Sequence, residues 1–179
     1  MLRRACFAVL VAVPFLWSDA TAQTAQRFSI QASALGVQLT GIENQDLAFG
    51  GGGELQFRFS PSRFSIGVGG QTTVHEVGVN SVTFKGVFVE PRYVLAAISD
   101  VVGLYAAARF MTLNATFDIL GTEVAFDGTA VSGGGGLLFR LGSRLNADLG
   151  ITAGKESYEG ERSDGVTVVT RLGLALGLG

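Results

Sequence analysis

Lysine, cysteine, histidine and proline are all scarce in this chain. Its 179 residues include two lysines (Lys85, Lys155), one cysteine (Cys6), one histidine (His75) and three prolines. A single cysteine forms no intrachain disulfide, and one histidine with one cysteine cannot build the usual zinc constellations. Charged residues make up only 16% of the chain, with a net charge of −2 and a pI near 5.4. That balance lacks the basic face of a nucleic-acid binder. No stretch reaches the roughly 20 consecutive apolar residues of a transmembrane helix. The 26 glycines follow no G-X-Y period, which excludes collagen. What is present is apolar: 47% hydrophobic residues and a mean hydropathy of +0.40. This is too apolar for disorder and long enough for one domain with a core.

Residues 1–22 read as a cleaved secretory signal. Arg3 and Arg4 open it, an apolar run follows from Ala5 to Trp17, and Ala20-Thr21-Ala22 gives the small-x-small cleavage pattern. Cys6 leaves with it. Removing Arg3, Arg4 and Asp19 takes 13 basic and 15 acidic residues to 11 and 14, a net charge of −3 for residues 23–179. That remainder reads as a single domain.

Period-2 alternation dominates it, and no 3.6-residue helical period is sustained. Leu145, Ala147, Leu149, Ile151 and Ala153 alternate with Asn146, Asp148, Gly150, Thr152 and Gly154; Val166 to Leu178 behaves alike. Turn signals divide the chain into eight strands at about 27–40, 50–60, 63–75, 82–96, 102–114, 124–141, 145–156 and 166–179. These exceed the usual ~5–6 residues of soluble strands and suit the 9–11 residues of a tilted membrane crossing. The phase slips near Ala34–Leu35 and near Lys85–Gly86, where a bulge is the simplest cause. Tight turns are expected at 60–63, 98–100 and 142–144, and longer polar loops at 41–49, 76–81, 115–123 and 157–165. The fold expected is all-β: an eight-stranded antiparallel up-and-down transmembrane barrel.

Alternation alone does not say which face is outside. A soluble exterior is rich in lysine and glutamate; these strands instead alternate apolar residues with Gly, Ser, Thr, Gln, Asn and occasional Arg or Glu. Turning the apolar face outward places Glu54, Arg58, Glu90, Arg92, Arg109, Arg140, Asp148 and Arg171 in the lumen. The opposite choice in a membrane puts arginines in lipid, at about 2–4 kcal/mol each near the midplane. Inside, they pair with carboxylates and plug the barrel; Lys85 has no assigned side because of the phase break. Phe28, Phe59, Phe64, Tyr93 and Phe139 fall near the short-turn ends, as an interfacial girdle would. Gly50–Gly53 and Gly133–Gly136 match no GxGxxG or GK[ST] pattern; in strands they make room for the arginines opposite. The loops hold Glu43, Asp46, Glu76, Asp118, Glu123, Glu159, Glu161 and Asp164 against Arg162 alone, a poor surface for heparin or DNA.

Signal, eight strands, alternating turns and loops and a glycine-rich lumen together resemble the small outer-membrane barrels of the OmpA/OmpX type, across residues 27–179. The last strand carries the most specific part: Arg171, Gly173, Leu176 and Leu178 stand at the positions of the polar-x-Gly-x-x-hydrophobic-x-hydrophobic signal. It departs by ending in Leu178-Gly179 rather than in Phe or Trp. The resemblance implies an outer-membrane location, outer-membrane lipid and the insertion machinery as partners, a loop ligand of unknown identity, a monomer, and no cofactor. A structural or surface-interaction role leads. The alternatives are a narrow, anion-favouring pore, a lipid-modifying enzyme and a soluble lipocalin-like binding barrel. For the enzyme, His75 is the candidate base, but the barrel deacylases it would resemble carry His-x-Ser, and this chain reads His75-Glu76-Val77. The plainer expectation for His75 is a polar rim residue.

Overall fold

The computed structural model describes residues 27–40, 49–77, 80–119, 122–158 and 166–178; the signal segment and most loop acids lie outside them. Eight strands follow in order: β1 (Phe28–Thr40), β2 (Gly50–Phe59), β3 (Phe64–Val77), β4 (Asn80–Ala97), β5 (Val102–Ile119), β6 (Thr122–Arg140), β7 (Leu145–Tyr158) and β8 (Val166–Leu178). Each pairs antiparallel with its sequence neighbours, and β1 pairs with β8 from Phe28↔Leu178 to Thr40↔Val166, closing an up-and-down barrel. Closure pairs every strand on both sides through the middle of the barrel, where no edge is left open; only upper ends such as 122–127 of β6 run past their neighbour.

Side chains alternate as the period-2 pattern requires. Phe28, Ile30, Leu55, Phe57, Ile66, Val68, Val89, Phe110, Leu149, Ile151, Leu172, Leu174 and Leu176 all face outward and are exposed. Glu54, Glu90, Asp148 and four arginines face inward and are buried. An apolar exterior around a charged interior inverts the order of a water-soluble protein and matches a barrel immersed in lipid. At the short-turn end the aromatic girdle is present: Phe28 lies opposite Phe59 and Phe64 opposite Tyr93 in register, with the Phe28 and Phe59 rings 5.1 Å apart. Turns at 60–63, 98–101 and 141–144 are tight; the Ser99 hydroxyl accepts from the Val101 and Val102 amides.

Three expectations need correction. β1 has no bulge at Ala34–Leu35, because its pairing with both neighbours runs on unbroken. What changes there is the chemistry of the inner face, from Ser29, Gln31 and Ser33 to Leu35 and Val37. β4 is likewise unbroken at Lys85–Gly86, and its one register shift lies between Val94 and Ala96. Lys85 therefore points outward. Finally, the loops expected at 76–81 and 115–123 are mostly strand. β3 and β4 pair up to Val77↔Asn80, and β5 and β6 up to Ile119↔Thr122. Above the apolar belt the outward face of these strands turns polar, with Lys85, Asn114, Thr116 and Asp127, so composition alone reads them as loop although threonine favours extended backbone. β4, β5 and β6 thus reach 18, 18 and 19 residues and stand taller than their neighbours.

Candidate functional site in the barrel lumen

Seven of the eight charged residues assigned to the lumen meet in one buried network. Glu90 is its hub, fully buried and contacted by four arginines. Arg58 and Arg92 reach its Oε1 at 2.6 and 3.0 Å; Arg109 Nε and Arg171 Nη1 donate to Oε2 at 3.0 and 2.7 Å. Arg109 also donates to Glu54 Oε2 at 2.7 Å, and Arg171 reaches Glu54 Oε1 at 3.4 Å. Asp148, also fully buried, holds Arg92 at 2.6 Å and Arg171 Nε at 3.2 Å. The contributing strands are β2, β4, β5, β7 and β8, so the network ties one wall to the other. Four arginines against three carboxylates leave it at +1.

Neutral groups complete it. The Tyr105 hydroxyl donates to Asp148 Oδ1 at 3.0 Å and accepts from Arg171 Nη2 at 3.0 Å. The Arg92 guanidinium stacks 4.0 Å from the Tyr105 ring centroid, and that of Arg109 3.8 Å from Phe88. Planar guanidinium groups tolerate such stacking while keeping their edges free for hydrogen bonds. Arg58 donates to Ser65 Oγ and to Gln56 Oε1, Arg109 to Gln71 Oε1, and Ser33 Oγ to Glu54 Oε1. Space for the larger groups comes from glycine. A Cβ on Gly136 or Gly150 would lie 2.6 or 2.5 Å from the Tyr105 hydroxyl, and one on Gly67 2.9 Å from Arg58. The two glycine runs serve other partners than the expected arginines: Gly136 clears Tyr105, and Gly50 clears the His75 ring.

Arg140 stands elsewhere. It is the half-buried last residue of β6, in register with Asn146 beside the short turn. His75 is not a rim residue: it is 2% exposed, faces the lumen and meets the Phe84 ring edge-on at 5.1 Å. Leu35, Val37, Val82, Leu113 and Ala115 form the inner wall in this upper part of the barrel, all buried. They share it with buried Thr73, His75 and Thr167, and a cavity of about 40 Å³ lies between this level and the charged one, among Gln71, His75, Phe84, Arg109 and Met111. Below, Val94, Tyr105 and Leu138 form a small apolar cluster. Sequence reasoning missed Tyr105, Phe88 and the inward-facing Leu35, Val37, Val82, Leu113 and Ala115. The signal for Tyr105 was its place in the same inward phase as Arg109.

The sequence matches no protein-family model and no curated protein. Similarity appears in three dimensions. Neisserial surface protein A superposes with a TM-score of 0.72 at 13% identity, covering 84% of this chain and 97% of that one. Ail, the attachment invasion locus protein of Yersinia pestis, gives 0.57 at 17% identity with the same coverage. The N-terminal β-barrel domain of Pseudomonas aeruginosa OprF gives 0.55 at 14%, again with 84% and 97% covered. The chain has the fold of the small eight-stranded outer-membrane barrels. That sets its architecture and leaves its activity to the residues.

Proposed function

We propose that this chain is a non-enzymatic barrel of the bacterial outer membrane, closed by its lumenal charges, that anchors surface-exposed connections. The observation that carries the reading is Glu90: one fully buried carboxylate surrounded by four arginines from four strands. In this reading the cluster fills the bore at its level and closes it to ions. The cavity above it, about 40 Å³, has room for a few waters, each needing about 10–15 Å³ of such space. Export by residues 1–22 and insertion guided by Arg171, Gly173, Leu176 and Leu178 complete the route in this reading. In β8 the first two face the lumen and the leucines face outward, as a signal read along a lipid-facing edge requires.

The decisive experiment is conductance of the purified barrel in planar bilayers, alongside cell fractionation and a gel comparing boiled with unboiled protein. The proposal expects membrane-pellet material with heat-modifiable mobility and no steady current. Stepwise currents in the wild type would replace it with the narrow-pore reading, which the +1 lumen would make anion-favouring. At the surface, the acidic connections favour a neutral or cationic partner. One of the similar structures is Ail in complex with a heparin analogue; this chain is expected to leave a heparin column in the flow-through at physiological salt.

A further inference from the structure

The outer surface is not uniformly apolar. Across the upper edge of the belt, register aligns Gly53, Thr72, Lys85, Asn114 and Asp127 in one outward row over β2 to β6. The next row down is Leu55, Gly70, Val87, Thr112 and Thr129. Between these rows lies an open groove of about 960 Å³. Leu55 and Val87, 61% and 64% exposed, flank it where Gly70 puts no side chain between them. Lys85 stands over it and makes no ion pair among the described residues. Asp127 shares the row two strands away, and its Oδ1 accepts from Asn114 Nδ2 at 3.0 Å.

Resting on the membrane reading above, we propose that this groove seats one phosphorylated glycolipid of the surrounding leaflet. An acyl chain lies along Leu55, Gly70 and Val87, and Lys85 holds a phosphate at headgroup level. A four-carbon stem crossing apolar surface to place an ammonium in the headgroup layer is the normal behaviour of lysine at a membrane edge. The Lys85 ammonium selects an anionic group at its own end of the groove, while Asp127 lies two strands away and is already engaged by Asn114. The flanking Thr72, Thr112 and Asn114 supply the hydroxyls and amide that pair with sugar hydroxyls. Lys155, the other lysine, also faces outward on β7 at the upper edge of the belt but borders no part of this groove, which makes it the internal control.

The test is native mass spectrometry of the full refolded chain after exchange from micelles doped with diphosphoryl lipid A, dephosphorylated lipid A, phosphatidylglycerol or phosphatidylcholine. Wild type is expected to retain one diphosphoryl lipid A in preference to the other three. Lys85→Gln is expected to lower retention about fivefold, the effect of one lysine on an anionic lipid, and Lys155→Gln to leave it unchanged. Gly70→Leu fills the groove and is expected to abolish retention. A Cβ at Gly70 comes no closer than 3.7 Å to the Gly86 carbonyl, so the sheet accepts the side chain. Equal retention of all four lipids, equal loss from both lysine variants, or a second copy of the barrel in place of lipid would each overturn the proposal. Cold-gel mobility of every variant separates this from misfolding. A wild type that fails to run as a heat-modifiable barrel would sink the membrane reading instead.

Discussion

Replacing Glu90 with glutamine is the most informative single perturbation of the lumen. The side chain keeps its shape and loses its charge, so the network goes from four arginines and three carboxylates to four and two, from +1 to +2. Two opposite charges 4 Å apart attract by about 4 kcal/mol at an effective dielectric of 20. Glu90 makes four such contacts at 2.5 to 3.0 Å between heavy atoms. Most of that gross attraction is offset by desolvation and by repulsion among the guanidinium groups, which is why the net cost of breaking a buried pair is about 3–5 kcal/mol. A loss of that size shifts the folded-to-unfolded ratio by roughly two to four decades. Urea titration of the barrel in lipid vesicles, read by the gel shift between folded and unfolded forms, measures it. With a slope of about 1–3 kcal/mol per molar urea, the midpoint falls by roughly 1 M or more. Combining Glu90→Gln with Arg171→Gln returns the network to +1 and is expected to recover part of the loss. If Glu90→Gln is as stable as wild type within about 0.5 kcal/mol, the level of an ordinary surface change, the ion network does not hold the barrel and the reasoning fails.

Tyr105→Phe keeps the ring under Arg92 but removes a donor to Asp148, and equilibrium unfolding is expected to show a cost of about 1–3 kcal/mol. Gly150→Ala brings a methyl 2.5 Å from that same hydroxyl and is expected to cost about 1–3 kcal/mol. In combination with Tyr105→Phe the two are expected to cost less than their sum, which a double-mutant cycle checks. Tyr158, beyond the upper edge of the belt on β7, donates to Glu156 Oε2 at 2.7 Å. Burial, then that carboxylate, pushes its phenol above the ordinary tyrosine value. A raised folded-state value means the neutral phenol is favoured, so the stability it supplies is intact below about pH 10 and declines above it. Alkaline unfolding curves of wild type and Tyr158→Phe are expected to converge as pH rises past that point.

How much of this was legible in the sequence varies with the residue. Alternation gives the side of the sheet on which a residue lies, and Glu54, Arg58, Glu90, Arg92, Arg109, Asp148 and Arg171 all face inward on that basis. It does not give height along the barrel axis, which depends on the stagger between neighbouring strands. Arg140 shares the inward phase but sits at the foot of β6, level with Asn146. His75 follows Gln71 and Thr73 inward; it reads as a rim residue only if its strand is taken to end there, and β3 continues to Val77. The supposed slip in β1 has the same origin. Leu35 and Val37 look out of phase with Ile30 and Ala32 because the inner face of β1 itself turns from polar to apolar partway up, a change no fixed inside–outside code anticipates.

The height of β4, β5 and β6 has a consequence for how the molecule presents itself. From Thr112 upward β5 spans eight positions to Ile119, matched by β6 from Thr122. At about 3.3 Å per residue and a tilt near 40°, that is roughly 20 Å of hydrogen-bonded ribbon. Anything grafted at 120–121 would ride on a stiff mast instead of a slack tether, at a fixed distance from the bilayer and on one flank of the mouth only. A short epitope inserted there and counted by antibody on intact cells would therefore be displayed with a defined bearing, a property that makes this barrel a candidate carrier for oriented surface display.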